Sequence, residues 1–281
     1  MIIIPPPPTW QITVFNQLLG IRPAQLGAFV KVCLGIRRRV VATASGLRFW
    51  ADPVSVFGLC LLRDGVYEPH LTRICEHLLR PGDVVVDVGG NEGYFSILAA
   101  ALGAGRVICV EPQTRLHSVI AENSRLNGVT SIVLAHALLA DSEGSAELFL
   151  RPSTNTGASS MFRHWRLGHA TEHVSQTTLD ALLDREPVGR VRLIKCDCEG
   201  AEYLVARGAS ATLRTQRSDM LVIEYHPAIC GVERCAETHS LLRAAGYWLT
   251  KIDGHCLYYL PSLEHELHGL GRIDHNVDWS I

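Results

Sequence analysis

Val84-Val85-Val86-Asp87-Val88-Gly89-Gly90-Asn91-Glu92-Gly93-Tyr94-Phe95 begins as an apolar, β-branched run and ends that run on a carboxylate. It then turns through small residues and enters the apolar pattern of Phe95, Ile97, Leu98 and Ala99. That order reads as a buried parallel strand, a tight turn and a helix start. Gly89, Gly90 and Gly93 permit positive φ and close backbone approach. The following helix offers unpaired N–H groups to whatever occupies the turn. Asp87 places negative charge at the strand tip, which suits a cation better than a phosphate. A ligand that is both cationic and a nucleoside fits, and S-adenosylmethionine (SAM) is such a ligand.

A second apolar run, Arg106-Val107-Ile108-Cys109-Val110-Glu111-Pro112, also ends on an acid. In nucleotide-binding α/β folds an acid at the second strand tip accepts hydrogen bonds from ribose hydroxyls. The Gly89–Gly93 turn lacks the G-x-G-x-x-G dinucleotide pattern, and Asp87 would repel a pyrophosphate. The pair therefore favours SAM over a nicotinamide cofactor. Asp87, Gly89, Gly90, Asn91, Gly93, Tyr94, Phe95, Glu111 and Pro112 form the expected cofactor site. Leu138, its neighbouring backbone and Asp141 would edge the adenine.

Outward from these strands the chain alternates. Strands are expected near 84–88, 106–111, 131–138, 191–197, 219–225, 247–252 and 256–260. Helices are expected near 93–102, 114–127, 178–184, 201–213 and 235–245, with an extra strand at Ala146–Leu150. Such alternation implies an α/β fold with a mainly parallel sheet covered on both faces. Asp253-Gly254-His255 marks a closing antiparallel hairpin. Upstream, Pro5–Pro8 form a polyproline lead, Gln11 to Cys33 reads as uneven helix, and Arg39–Ala44 and Leu47–Ala51 read as a hairpin. Glu68–Leu79 reads as an amphipathic helix. The division expected is an N-terminal extension (1–80), a main domain (81–261) and a C-terminal tail (262–281). Pro152 to Gln176 is a long connection. Its Ser/Gly-rich start and the following Met161, Phe162, His164, Trp165, His169 and His173 suggest a substrate lid over 152–177.

A second group of acids ends the strand around Leu193: Lys195, Cys196, Asp197, Cys198, Glu199, Gly200, Ala201 and Glu202. Strand alternation puts Lys195, Asp197 and Glu199 on one face. Glu224 and His226 share a face at the next strand tip. Ligands in open α/β sheets lie outside the carboxyl ends of strands at the switch in strand order, so Asp197 should face the reacting end of the cofactor. Two uses are open. An acid or His226 takes a proton as general base, or Asp197, Glu199 and Glu224 hold a divalent cation such as magnesium. Glu202 reads as structural, capping its helix or pairing with Lys195.

The 281 residues carry 26 Lys and Arg against 28 Asp and Glu, a net charge of −2, which leaves no footprint for nucleic acid or an anionic membrane. Arg37-Arg38-Arg39 reads as a solvated element end. Nine cysteines, the absence of a leader pattern in Met1–Ile4, and no apolar stretch of about 18 residues point to a cytoplasmic protein with reduced thiols. The pairs Cys196/Cys198 and Cys230/Cys235 read as small buried hydrophobes rather than zinc knuckles. The expected partner is a small-molecule hydroxyl acceptor, with no nucleic acid or membrane; a homo-oligomer is left open.

Together the motifs resemble the FkbM family of SAM-dependent methyltransferases. The matching residues are Tyr67-Glu68-Pro69, Pro81-Gly82-Asp83, Asp87-Val88-Gly89-Gly90-Asn91-Glu92-Gly93-Tyr94-Phe95, Glu111-Pro112, Asn127, Thr178-Leu179-Asp180, Lys195-x-Asp197-x-Glu199-Gly200-Ala201-Glu202 and Glu224. The resemblance covers residues 64 to 260. It implies a class I, Rossmann-like fold of seven strands with one antiparallel, and methylation of a hydroxyl on a sugar or natural product. The chain departs from the family pattern at Gly90, Glu92 and Cys198; Glu92 adds charge beside the methionine site. Alternatives on this fold are an RNA methyltransferase or a SAM-binding partner without turnover.

Overall fold

The structure, a computed structural model, describes residues 8–162, 170–252 and 255–270. The chain begins with α1 (Thr9–Gly20), α2 (Ala24–Cys33), the hairpin β1 (Arg39–Ala42) and β2 (Arg48–Ala51), α3 (Val56–Asp64) and α4 (Pro69–Leu78). Next come β3 (Val84–Val88), α5 (Tyr94–Ala101), β4 (Arg106–Val110), α6 (Thr114–Asn127), β5 (Ile132–Ala135), β6 (Leu138–Leu139), β7 (Gly144–Phe149) and β8 (Thr171–Thr177). The remainder is α7 (Leu179–Arg185), β9 (Val191–Cys196), α8 (Glu202–Arg207), α9 (Ser210–Arg214), β10 (Ser218–Ile223), α10 (Pro227–Cys230), α11 (Val232–Ala244), β11 (Trp248–Ile252) and β12 (His255–Tyr259).

Seven strands form one sheet in the order β11-β12-β10-β9-β3-β4-β5. Only β12 runs antiparallel to its neighbours, pairing Leu221 with Tyr258 on one side and Leu249 with Tyr258 on the other. The order reverses beside β3, whose Val88 pairs with Cys196 of β9 and Val110 of β4. Both sheet faces are buried. Val85, Val107, Leu193 and Val222 face one core, while Val86, Ile108, Ile194 and Leu221 face the other. That two-sided burial is why these strands read as unbroken apolar runs.

Several expected elements take a different form. The Gln11–Cys33 helix is two helices, because Pro23 supplies no N–H and keeps Arg22 out of helical geometry. The 201–213 helix divides at Gly208, where a Cβ would meet the carbonyl oxygen of Ala140 at 2.0 Å. The 131–138 strand divides into β5 and β6, and α3 lies where no helix was expected. Ser55 caps α3 by accepting from the Gly58 N–H at 2.9 Å.

Within the presumed loop, residues 171–177 are strand β8, which joins β6 and β7 in a separate three-stranded sheet. Met1 to Pro7, Arg163–His169 (with His164 and Trp165), the Asp253-Gly254 turn and residues 271–281 lie outside the described residues.

The N-terminal extension shares its core with the main domain. Phe49, Phe57, Leu61, Leu71 and Ile74 belong to one cluster with Val85, Ile97, Val107 and Leu193, and Leu267 and Leu270 of the tail join it. Among the described residues no helix is long and apolar enough to cross a membrane.

Candidate active site

A cavity of about 260 Å³ lies at the carboxyl ends of β3 and β9. Val88, Gly89, Gly90, Asn91, Tyr94 and Phe95 line it from the first strand-turn-helix unit, Glu111 and Pro112 from the second, and Leu138 from β6. Lys195, Asp197, Glu199, Glu224 and His226 complete the other side. Residues of both expected groups thus line one cavity.

The turn works differently from the expectation. Gly89 (φ +78°) has no room for a Cβ, which would stand 1.9 Å from the Asp197 carbonyl oxygen; at Gly90 a Cβ would meet Cys109 Sγ at 2.4 Å. These glycines let β3 close against its neighbouring strands as well as bordering the cavity. Asp87 and Gly93 do not line it. Asp87 is buried beneath the turn, where Ser96 Oγ donates to it at 2.7 Å and Lys195 Nζ stands 3.6 Å away. The cation Asp87 faces is this chain's own lysine. Asp141 is exposed and pairs with Arg207 at 3.8 Å rather than edging the cavity.

Glu111 fits a ribose-binding role. It is buried, and its carboxylate accepts from the N–H groups of Asn91 at 2.7 Å and Gln113 at 2.8 Å, one per oxygen, which leaves acceptor capacity on both. Burial lifts its pKa to about 7 against the pull of those backbone donors.

At the other side β9 ends at Cys196, and Glu199 takes φ +53°, a left-handed geometry uncommon outside glycine. Ser160 Oγ donates to the Glu199 carbonyl at 2.7 Å and holds that bend. His226 Nε2 stands 3.8 Å from both Asp197 and Glu199 and 4.0 Å from Glu224. Its Nδ1 is 2.9 Å from Glu202, which also accepts from the Cys198 and Gly200 N–H groups. Glu202 is therefore structural, as expected, but its charged partner is His226 and not Lys195. Lys195 instead stands 3.3 Å from Asp197 and donates to the Gly89 carbonyl at 3.2 Å.

The titration pattern follows. Burial works against the charged form of His226, yet the Glu202 bond and the nearby Asp197 and Glu199 charges outweigh it and raise the pKa to about 9. Burial lifts Glu199 to about 7, opposed by His226. Burial and the Asp197 charge also raise Glu224. Desolvation would lower Lys195, but Asp197 and Asp87 hold it well above its ordinary value.

The three-acid cation set does not assemble among the described residues. Asp197 and Glu199 gather with His226, whereas Glu224 gathers with Glu68 and His255. In each group burial is outweighed by the neighbouring acids, which raise the pKa of the histidine: Glu202, Asp197 and Glu199 for His226, and Glu68, Glu224 and Asp197 for His255.

Sequence reasoning assigned no site role to Val56, Phe57, Tyr67, Glu68 or Gln113, all of which border the cavity. Asn155, Gly157, Ser159, Ser160 and Met161, from the first part of the expected lid, border the cavity, and this segment is hydrogen-bonded to the cofactor side. Thr156 Oγ1 donates to Asn91 Oδ1 at 2.8 Å, Gln113 Nε2 donates to the Thr156 carbonyl at 3.2 Å, and Ser159 Oγ donates to Gln113 at 3.0 Å.

Glu92 is fully buried and forms a two-point pair with Arg38, at 2.7 and 3.1 Å. Arg38→Ala should cost about 3–5 kcal/mol, the range for stranding a buried charge. Without its partner, the Glu92 carboxylate favours protonation in the folded state, so the loss should be smaller at pH 5 than at pH 8. Urea denaturation at the two pH values checks both statements; equal losses would contradict them.

The methyltransferase FkbM domain model matches residues 87–249. A ribosomal protein L11 methyltransferase from Pelotomaculum thermopropionicum is 41% identical over 111 residues, 39% of this chain and 32% of that protein. One from Chloroflexus aurantiacus is 32% identical over 155 residues, 52% of this chain and 42% of that protein. The chain thus spans less than half the length of these relatives. A putative rRNA methylase structure from Clostridium thermocellum aligns with TM-score 0.45 at 9% identity, covering 68% of this chain and 94% of that one.

Proposed function

The chain belongs to the FkbM methyltransferase family, and we propose that it transfers the SAM methyl group to a hydroxyl of a small molecule, of the sugar or natural-product class. The observation that carries this reading is Glu199. It borders the cavity with the cofactor-side residues, its backbone bend is held by Ser160, and burial lifts its pKa to about 7. A base with that pKa is matched to proton abstraction near pH 7.

SAM supplies an electrophilic methyl on a sulfonium. Glu111 would hold the ribose, and Pro112 and Leu138 would flank the nucleoside. Glu199 accepts the hydroxyl proton as the oxygen–carbon bond forms and the carbon–sulfur bond breaks. His226, held by Glu202, acts as a positioning residue whose positive charge keeps Asp197 and Glu199 together. Most of the acceleration would come from alignment of the acceptor oxygen.

The acid-rich cavity wall favours a second reading, an amine acceptor. The relatives named for ribosomal protein L11 are compatible with it. Methyl transfer from labelled SAM to matched hydroxyl and amine acceptors separates the two. We expect product with hydroxyl acceptors; product from amines alone would select the second reading. Loss of turnover on chelation, restored by magnesium or manganese, would replace proton abstraction by metal assistance.

A further inference from the structure

Every charged side chain in the first 51 residues is a cation: Arg22, Lys31, Arg37, Arg38, Arg39 and Arg48. All 28 acids lie from Asp52 onward. The net charge of −2 averages these two regions and hides the separation.

The same N-terminal region carries an unusual surface. The only charge within α2, Lys31, is buried; it pairs with Asp52 and donates to Ser153 Oγ at 2.9 Å. The outer face of α2 is left with Leu26, Phe29 (64% exposed) and Val32 (69%), followed by Leu34 (60%). Trp10 of α1 is 64% exposed. The inward faces of both helices are already satisfied, since Phe15 and Leu18 pack with Val30, Val54 and Leu59. Helices in water normally turn charge outward, and clustered exposed apolar residues mark interaction sites. Of the arginines, Arg38 turns inward to Glu92, and Arg39 bonds Gln11 and lies over the Phe15 ring, while Arg22 and Arg37 remain exposed at the two ends of α2.

We propose that α1 and α2 form a docking surface for an anionic lipid membrane. Trp10, Leu26, Phe29, Val32 and Leu34 enter the headgroup–acyl boundary, and Arg22 and Arg37 meet lipid phosphates. Charge selects this occupant over a second copy of the chain, which would bring the same cations against themselves. The acid-rich remainder is repelled by the same lipids, so the chain lies on the surface in one orientation. The inference is independent of the acceptor and of the base.

The test is co-sedimentation of the full chain with phosphatidylcholine vesicles, with and without phosphatidylglycerol. The chain should pellet with the anionic vesicles only, and less so as salt is raised. The Trp10→Ser/Phe29→Ser variant should lose binding by at least about tenfold with an unchanged melting temperature, because both residues are exposed. Arg22→Gln/Arg37→Gln should bind more weakly and with less salt dependence. Failure to pellet with anionic vesicles, or equal binding by the serine variant, overturns the proposal. So does a concentration-dependent dimer that the serine variant abolishes, which would assign the surface to a second copy.

Discussion

Gly89→Ala is expected to lose about 3–5 kcal/mol of stability, at the upper end of single-substitution effects, and to weaken SAM binding by at least about tenfold. Two costs combine. Alanine at φ +78° is strained by about 1–2 kcal/mol. The larger cost is contact, because the new Cβ would lie 1.9 Å from the Asp197 carbonyl oxygen. That oxygen is backbone and is held in place, since the Asp197 N–H donates to the Val88 carbonyl at 3.2 Å. The tips of β3 and β9 must therefore separate, which distorts both sides of the cavity at once. Gly128→Ala is the internal control. It has a similar φ of +65° but open space around it, so only the conformational cost of about 1–2 kcal/mol applies. Urea denaturation and calorimetry with SAM measure both effects, and equal losses in the two variants would refute the contact argument.

Glu199→Gln should lower kcat by about 10²–10⁴-fold, the range for losing a general base, with SAM affinity nearly unchanged. The sign of the pH dependence follows from the two titrations. The base must be ionised, so the rate rises as pH passes about 7. His226 stays protonated until about 9, where the acids lose their shared positive neighbour and the rate should fall. Activity is thus greatest between those values. The Gln variant should keep the alkaline limb and lose the acidic one. A purely structural role for Glu199 would lower the rate without removing that limb, so the pH–rate profile decides between them.

The fold was legible where chemistry forced a pattern. β3, β4, β9 and β10 are buried on both faces, so they show as apolar runs, and their polar tips mark where the chain leaves the sheet. β8 escaped because Thr171-Glu172-His173-Val174-Ser175-Gln176-Thr177 buries only Val174 and Thr177, leaving no hydrophobic run to read. The site was legible as residue types but not as partnerships. Nothing local says that Glu202 will meet His226 across 24 positions, or that Arg38 will neutralise Glu92 from 54 positions away. The pairing of Asp87 with Lys195 was not legible, because that lysine arrives from another strand. Thr178 and Asp180, part of the family pattern, serve architecture. Thr178 caps α7 by accepting from the Ala181 N–H, and Asp180 accepts from the N–H groups of Ala211 and Thr212.

Two asparagines of α6 tie the β1–β2 hairpin to that helix and to the turn after β3. Asn127 accepts from the Arg48 N–H at 2.8 Å and donates back to its carbonyl at 2.7 Å, as a neighbouring strand would. Asn123 accepts from the Trp50 N–H at 2.6 Å and donates to the Glu92 carbonyl at 2.9 Å. Anyone trimming this chain to its catalytic half would meet the consequence at the bench. Cutting before residue 81 strips Phe49, Phe57 and Tyr67 from the rings of Tyr94 and Phe95 and takes the hairpin N–H donors from both asparagine Oδ1 atoms, so the fragment should clump rather than remain dispersed.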